Sequence, residues 1–337
     1  MSGTAGLCLG KYAPFHLGHK SVIDAALSET GRAVVLVYED DVTPVPVHVR
    51  ANWIRNIYAG MNVSVYECYS APQETGYTRA IMDAQECYLL KKLCEFGESV
   101  THFFSSELYG EHVSRALGVV DRRVDQRRVK IPVSASAIRE NSYRWRKFIP
   151  PQVYRDLVTK VVFLGSESTG KSTMARTAAE AHGTVFMPEY GAEYWFAHQR
   201  DGKLAPEQLL ELARGHLEHE QEKLSDADTY LFVDTNAITT YLYALDYHAA
   251  ALPELTALAG ECHARYDVTF LCGDDIPYDD TWDRRGKEKR RDFQKRFIGE
   301  LKERRVPYVL LEGGIEPRME KVRDVLRHYG RWRGEKR

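Results

Sequence analysis

Between Gly165 and Ser172 the chain reads GSESTGKS, which sets Gly165, Gly170, Lys171 and Ser172 at GxxxxGKS spacing. The apolar run KVVFLG precedes it and the helical pattern STMARTAAEA follows it, the strand–turn–helix context in which such a loop binds phosphate. Successive backbone N–H groups can curl around phosphate oxygens, and the helix N-terminus adds positive charge. Lys171 is placed to reach the outer phosphates, Ser168, Thr169 and Thr173 to complete the cradle, and Ser172 to ligate Mg2+. Asp234 closes the apolar run YLFVD, where a magnesium-organising carboxylate of a P-loop enzyme belongs; a helix N-cap at Asp234 or Thr235 is the plainer alternative. Glu189 and Tyr190 follow the run TVFMP and can face an acceptor, Glu189 as a base or hydroxyl anchor. The segment IPYDDTWDRRGKEKRR offers Tyr278 and Trp282 as rings for a substrate, with Arg284, Arg285, Arg290 and Arg291 as cations for a γ-phosphate. It reads either as a small-kinase lid or as a solvated charged loop. These residues point to phosphoryl transfer from a nucleoside triphosphate to a small molecule.

A second constellation opens the chain. GKYAPFHLGH, from Gly10 to His19, sets His16 and His19 at the start of a helix, where backbone donors favour an anion. A structural turn, a metal site and a phosphate site all fit a histidine pair; neither cysteines nor carboxylates cluster nearby in sequence, which favours phosphate. IPVSASAIR supplies Ser134, Ser136 and Arg139 around another helix start, so a second triphosphate can bind before the P-loop is reached.

Short apolar runs alternating with amphipathic segments must position these residues, and that alternation is the grammar of parallel α/β layers. AGLCLG, RAVVLVY, NVSVYECY and VTHFFS read as strands of a first unit; KVVFLG, TVFMPE, DTYLFVDT, DVTFLCG and VPYVLLEGG read as strands of a second. The pattern breaks at Pro150-Pro151 and restarts, giving an expected boundary near residue 156, with domains 1–156 and 157–337. Lys plus Arg (46) nearly balance Asp plus Glu (48), so no global charge draws the chain to nucleic acid or membrane. Six scattered cysteines without CxxC spacing, no membrane-length apolar run and no leader pattern lead us to expect a cytoplasmic protein with reduced thiols.

The motifs in this order resemble the nucleotidyltransferases of the HxGH type, in which GxFxPxHxGH and ISxTxIR enclose ATP. More specifically, GKYAPFHLGH, SSELYG, IPVSASAIR, FIPPQVYRDLVTKVVFLGSESTGKST, PEYGAEY and FVDTNAITT are similar to the bifunctional NMN adenylyltransferases and nicotinamide riboside kinases of the NadR type. The resemblance implies an HxGH nucleotidyltransferase Rossmann-like domain followed by a P-loop kinase domain, both with parallel sheets flanked by helices. It implies that the first domain joins NMN to the AMP part of ATP, giving NAD and pyrophosphate, and that the second makes NMN from nicotinamide riboside and ATP. His16 and His19 would contact the ATP phosphates with Lys11, beside Gly10 and Tyr12; Ser134, Ser136 and Arg139 would hold the departing phosphates. Tyr12, Ala135 and Ser136 replace the usual Phe, Gly and Thr, keeping size or hydroxyl chemistry. No DNA-binding segment fits before Gly10, so no nucleic-acid partner is expected; a homo-oligomer is compatible with the sequence. The same motif order suits a fusion of pantetheine-phosphate adenylyltransferase with dephospho-CoA kinase, and a non-catalytic NAD- or ATP-sensing regulator is the reading from a different class.

Overall fold

The computed structural model describes residues 4–74, 76–107, 110–277 and 287–332. The chain divides between Tyr154 and Arg155 into two compact units. Tyr278, Trp282, Arg284 and Arg285, and with them most of the expected lid, lie outside the described residues.

In the first unit the order is β1 (Gly6–Gly10), α1 (Leu17–Thr30), β2 (Ala33–Tyr38), α2 (Val47–Ile57), β3 (Val63–Cys68), α3 (Arg79–Glu95), β4 (His102–Ser105), α4 (Gly110–Leu117), β5 (Val120–Arg123) and α5 (Ala135–Glu140). Every strand pair is parallel and the sheet runs β3-β2-β1-β4-β5. The chain therefore leaves β1 in one direction for β2 and returns to its other side at β4. This reversal opens a crevice at the carboxyl ends of β1 and β4, where ligands of such sheets bind. β1 and β2 have the continuous apolar character of strands covered on both faces; Ala33 to Val37 are all fully buried. The edge strand β5, VDRR, carries three charged residues in four and gave no apolar signal in the sequence.

The second unit begins with α6 (Pro151–Leu157), which crosses the division, and continues with β6 (Thr159–Leu164), α7 (Lys171–His182), β7 (Phe186–Met187), α8 (Gly191–His198), α9 (Pro206–Lys223), β8 (Tyr230–Asp234), α10 (Ala237–His248), α11 (Pro253–Arg265), β9 (Val268–Cys272), α12 (Lys287–Glu303), β10 (Val309–Leu311) and α13 (Ile315–His328). Its parallel sheet has the order β10-β9-β6-β8-β7, so the loop after β6 leaves the middle of the sheet. Phe163, Phe232 and Phe270 from the three central strands share one fully buried cluster with Met174 and Ala175 of α7. That packing fixes the strand before the P-loop to the helix after it. Both units are thus α/β layers with parallel sheets, as the alternating pattern requires. Among the described residues, no helix is long and apolar enough to cross a membrane.

Candidate functional sites

His16 forms the N-cap of α1: its Nδ1 accepts the Gly18 N–H at 3.0 Å. Gly18 is needed there, because a Cβ would fall 2.8 Å from His16 Cε1. The His19 ring stacks on His16 with centroids 3.8 Å apart, and Tyr12 meets it edge-on at 4.9 Å. Burial, aided by the nearby Arg128 cation, lowers His16 to about 4. Burial, His16 and Arg128 together hold His19 well below the ordinary histidine value. Both rings are therefore neutral at pH 7. With Nδ1 engaged as an acceptor, neutral His16 must carry its proton on Nε2, which makes that atom a donor. His19 Nδ1 is buried with no hydrogen-bond partner, an atom whose cost the fold accepts.

A cleft of about 720 Å³ gathers the two early motifs: Gly10, Lys11, Tyr12, His16 and His19 line it together with Ser134, Ser136 and Arg139. Ser134 caps α5 by accepting the Ala137 N–H at 3.2 Å. Arg139 donates to the Ala13 carbonyl at 2.6 Å and to Ser136 Oγ at 3.1 Å, so α5 is tied directly to the GKYAPFHLGH turn. Lys11 pairs with the buried carboxylate of Asp40. Sequence reasoning missed the scaffold of this turn. Arg50 of α2, 1% exposed, donates to the carbonyls of Lys11, of Tyr38 at 2.8 Å and of Val45 at 3.0 Å, collecting three chain segments on one guanidinium. Arg128, paired with Glu107 at 2.9 Å, also lines the cleft. The Asp125 carboxylate builds its loop by accepting the N–H groups of Val129 and Ile131, each at 2.9 Å.

In the second unit the P-loop adopts the conformations that its glycines and small residues permit: Gly165, Ser168 and Gly170 have φ of 138°, 57° and 83°. A Cβ on Gly165 would lie 2.8 Å from the Cys272 carbonyl oxygen, so β9 approaches the loop too closely for any side chain. The buried Gln294 of α12 accepts the Ser166 N–H at 2.7 Å and donates to that same Cys272 carbonyl at 2.9 Å. Arg318 of α13, 2% exposed, donates to the Thr169 carbonyl at 2.6 Å, to that of Gly273 at 3.1 Å and to Asp275 at 2.8 Å. Neither residue announces itself in sequence; each is a lone polar side chain on a helix distant along the chain. Lys171 Nζ is folded back onto the Ser166 carbonyl at 2.9 Å, while Ser172 and Thr173 are exposed at the first turn of α7.

Asp234 ends β8 and is 1% exposed. The N-cap of α10 is Asn236, which accepts the Ile238 N–H at 3.0 Å, so the capping alternative for Asp234 and Thr235 does not hold. Burial raises the Asp234 carboxyl, against the pull of Lys171 and a hydrogen bond from Ser172. Burial and the neighbouring Asp234 raise Glu189, with Lys171 opposing and Glu167 adding to the rise. Three carboxylates and one lysine thus meet beside the loop. Tyr190 packs edge-on against His219 of α9 with centroids 4.7 Å apart, and Gly215 leaves room for it, since a Cβ there would fall 2.7 Å from its ring. Arg290 is buried in α12 and donates to the Ile276 carbonyl at 3.2 Å; Arg291 is exposed on the same helix. Arg290 is therefore a brace for the segment it follows, neither a solvated nor a mobile cation.

Similarity to known proteins extends over both units. A family model described as an AAA domain matches residues 160–318, the P-loop unit. The trifunctional NAD biosynthesis/regulator protein NadR of Escherichia coli (strain K12) is 26% identical over 330 residues, covering 92% of this chain and 79% of that protein. NadR of Salmonella typhimurium is 26% identical over 325 residues, covering 90% of this chain and 78% of that one. Two solved structures share the fold: a NadR protein in complex with NAD and AMP-PNP (22% identity, TM-score 0.56, 97% of this chain and 96% of that chain) and a NadR protein in complex with NR (22%, 0.57, 96% of each). The similarity to NadR proteins runs through both α/β units in the same order.

Proposed function

We propose that the chain is a two-site NAD salvage enzyme: the first unit adenylylates NMN with ATP to give NAD and pyrophosphate, and the second phosphorylates nicotinamide riboside with ATP to give NMN and ADP. The carrying observation is that GKYAPFHLGH and IPVSASAIR, more than a hundred residues apart, line one cleft while the P-loop forms a separate site in the other unit. The relatives' names and the ligands of the two related structures, NAD, AMP-PNP and NR, support the same reading.

In the first site the NMN phosphate oxygen attacks the α-phosphorus of ATP, and the bond to the bridging oxygen of pyrophosphate breaks. No covalent intermediate or protonated base is required. Catalysis consists of holding the two phosphates in line and stabilising charge that moves onto the leaving oxygens. The Nε2–H of His16 and the ring of His19 supply donors where phosphate arrives, and Lys11, Ser134, Ser136 and Arg139 exchange their present partners for departing oxygens.

In the second site the riboside hydroxyl attacks the γ-phosphorus and ADP leaves. Glu189, whose raised pKa brings it nearer neutrality, takes the hydroxyl proton. Lys171 turns from the Ser166 carbonyl to the β and γ oxygens. A magnesium ion fits beside them: Asp234 Oδ1 is buried without a partner, and Ser172 stands at the helix start next to it. Ser172 and Asp234 would hold the ion, which when bound neutralises phosphate charge.

The reading is tested on the purified chain by two assays, ADP formation from ATP with nicotinamide riboside and NAD formation from ATP with NMN. Both products are expected; an absence of either removes the corresponding half of the proposal.

A further inference from the structure

A loop that cradles a polyanion gains nothing from a carboxylate, yet Glu167 stands in the middle of this one, between Ser166 and Ser168. Its surroundings show which way it faces. The β9 side of the loop is occupied: Gln294 binds the Ser166 N–H, and Arg318 binds the Thr169 carbonyl. Glu167 instead meets α10, the helix after β8, and accepts the Tyr243 hydroxyl at 2.9 Å. Tyr243 is itself held by ring contacts with Tyr247 and Phe293, at 5.7 and 5.2 Å between centroids. Burial, then Glu167, then Glu189 raise the Tyr243 hydroxyl well above its usual value, so both carboxylates lie near it. Glu167 and Glu189 therefore lie near one tyrosine hydroxyl and near each other, with the Tyr247 ring adjacent.

We propose that Glu167, oriented by Tyr243, is a specificity residue that faces the acceptor rather than the triphosphate and selects a nucleoside whose base is a cation. This rests on the riboside-kinase reading and adds the property by which the site recognises its substrate. A half-buried carboxylate beside a second one is favoured by a positive partner, and tyrosine faces favour the same charge. Nicotinamide riboside carries a fixed positive charge on its ring nitrogen. Its 1,4-dihydro form has nearly the same outline and hydroxyls without that charge, so the two separate charge recognition from recognition of the ribose.

The experiment compares both ribosides as acceptors for the full chain, its Glu167→Gln and Glu167→Asp variants, and Tyr243→Phe, with the KM for ATP measured alongside. Wild type should prefer the cationic riboside in kcat/KM by roughly tenfold or more. Glu167→Gln should lose most of that preference through a higher KM for the cation, with the KM for ATP unchanged or lower. Glu167→Asp, which keeps the charge, should retain part of it, and Tyr243→Phe should fall between. If Glu167→Gln weakens both ribosides equally, or raises the KM for ATP in step, the carboxylate does not read substrate charge and the proposal is overturned. If wild type phosphorylates neither riboside, the kinase reading itself fails first.

Discussion

The two candidate sites on one chain, each proposed to handle nucleotide phosphates, have opposite electrostatics. In the first unit the groups nearest the expected phosphates are two stacked neutral histidines, with Arg128 close enough to help keep them neutral and Lys11, Arg128 and Arg139 each parked on an oxygen partner. In the second, Lys171 sits among Asp234, Glu189 and Glu167; burial pushes up the Asp234 and Glu189 carboxyls, and Asp234 and Glu167 add to the rise of Glu189. The difference follows the chemistry. A transfer in which the nucleophile is already an anion needs donors and no base, whereas a hydroxyl nucleophile needs a carboxylate to take its proton.

The contrast is broken most severely at Asp234. Asp234→Asn should lower kcat for riboside phosphorylation by at least about two orders of magnitude while NAD formation from NMN stays near wild type. Steady-state rates on one preparation check this; full kinase turnover in the variant would remove Asp234 from the mechanism.

A smaller effect is expected at Gly18. Gly18→Ala forces a Cβ into the His16 ring, so the N-cap hydrogen bond opens and the stacked pair shifts. Adenylyl transfer should fall by roughly tenfold, with riboside phosphorylation unaffected. An alanine variant with wild-type adenylyl transfer would show that the ring geometry of His16 does not matter.

The smallest difference is in acid stability. His16, lowered from 6.5 to about 4 in the folded chain, stays neutral when folded but protonates when unfolded, so its burial favours the first unit above about pH 6.5. That contribution is lost progressively as the pH falls toward about 4, and His19 acts in the same direction. In the second unit His216, also lowered to about 4, behaves likewise, but Asp234 and Glu189 oppose it. Their folded pKa values are raised, so acid relieves their cost. Peptide-resolved hydrogen exchange should show protection in the first unit falling earlier on acidification from about pH 7 to about pH 5 than in the second. Equal loss in both would contradict the assigned charge states.

Much of this contrast was legible before any coordinates, because each site is announced by a short stretch with special backbone needs. GSESTGKS after KVVFLG located the P-loop, and the pair His16 and His19 located a helix start. What holds those stretches in place was not legible. Arg50, Gln294 and Arg318 act through carbonyls and N–H groups of segments remote in sequence, and a lone polar residue on an amphipathic helix gives no pattern to read. The cap of α10 falls one or two residues beyond Asp234 and Thr235, the two positions the capping alternative named, because Asp, Thr and Asn all cap well and sequence alone does not choose among them; the structure has Asn236 there, after Thr235 at φ 67°. The strand TVFMPE shrank to Phe186–Met187, since only those two residues find a partner in β8.

The central claim is that two separate sites perform two different transfers. It is tested most directly by measuring both activities on His19→Ala and Lys171→Ala. The account predicts a reciprocal pattern: His19→Ala loses NAD formation by about a hundredfold or more and keeps riboside phosphorylation, while Lys171→Ala does the reverse. Loss of both activities together in either variant, or of neither, would contradict it.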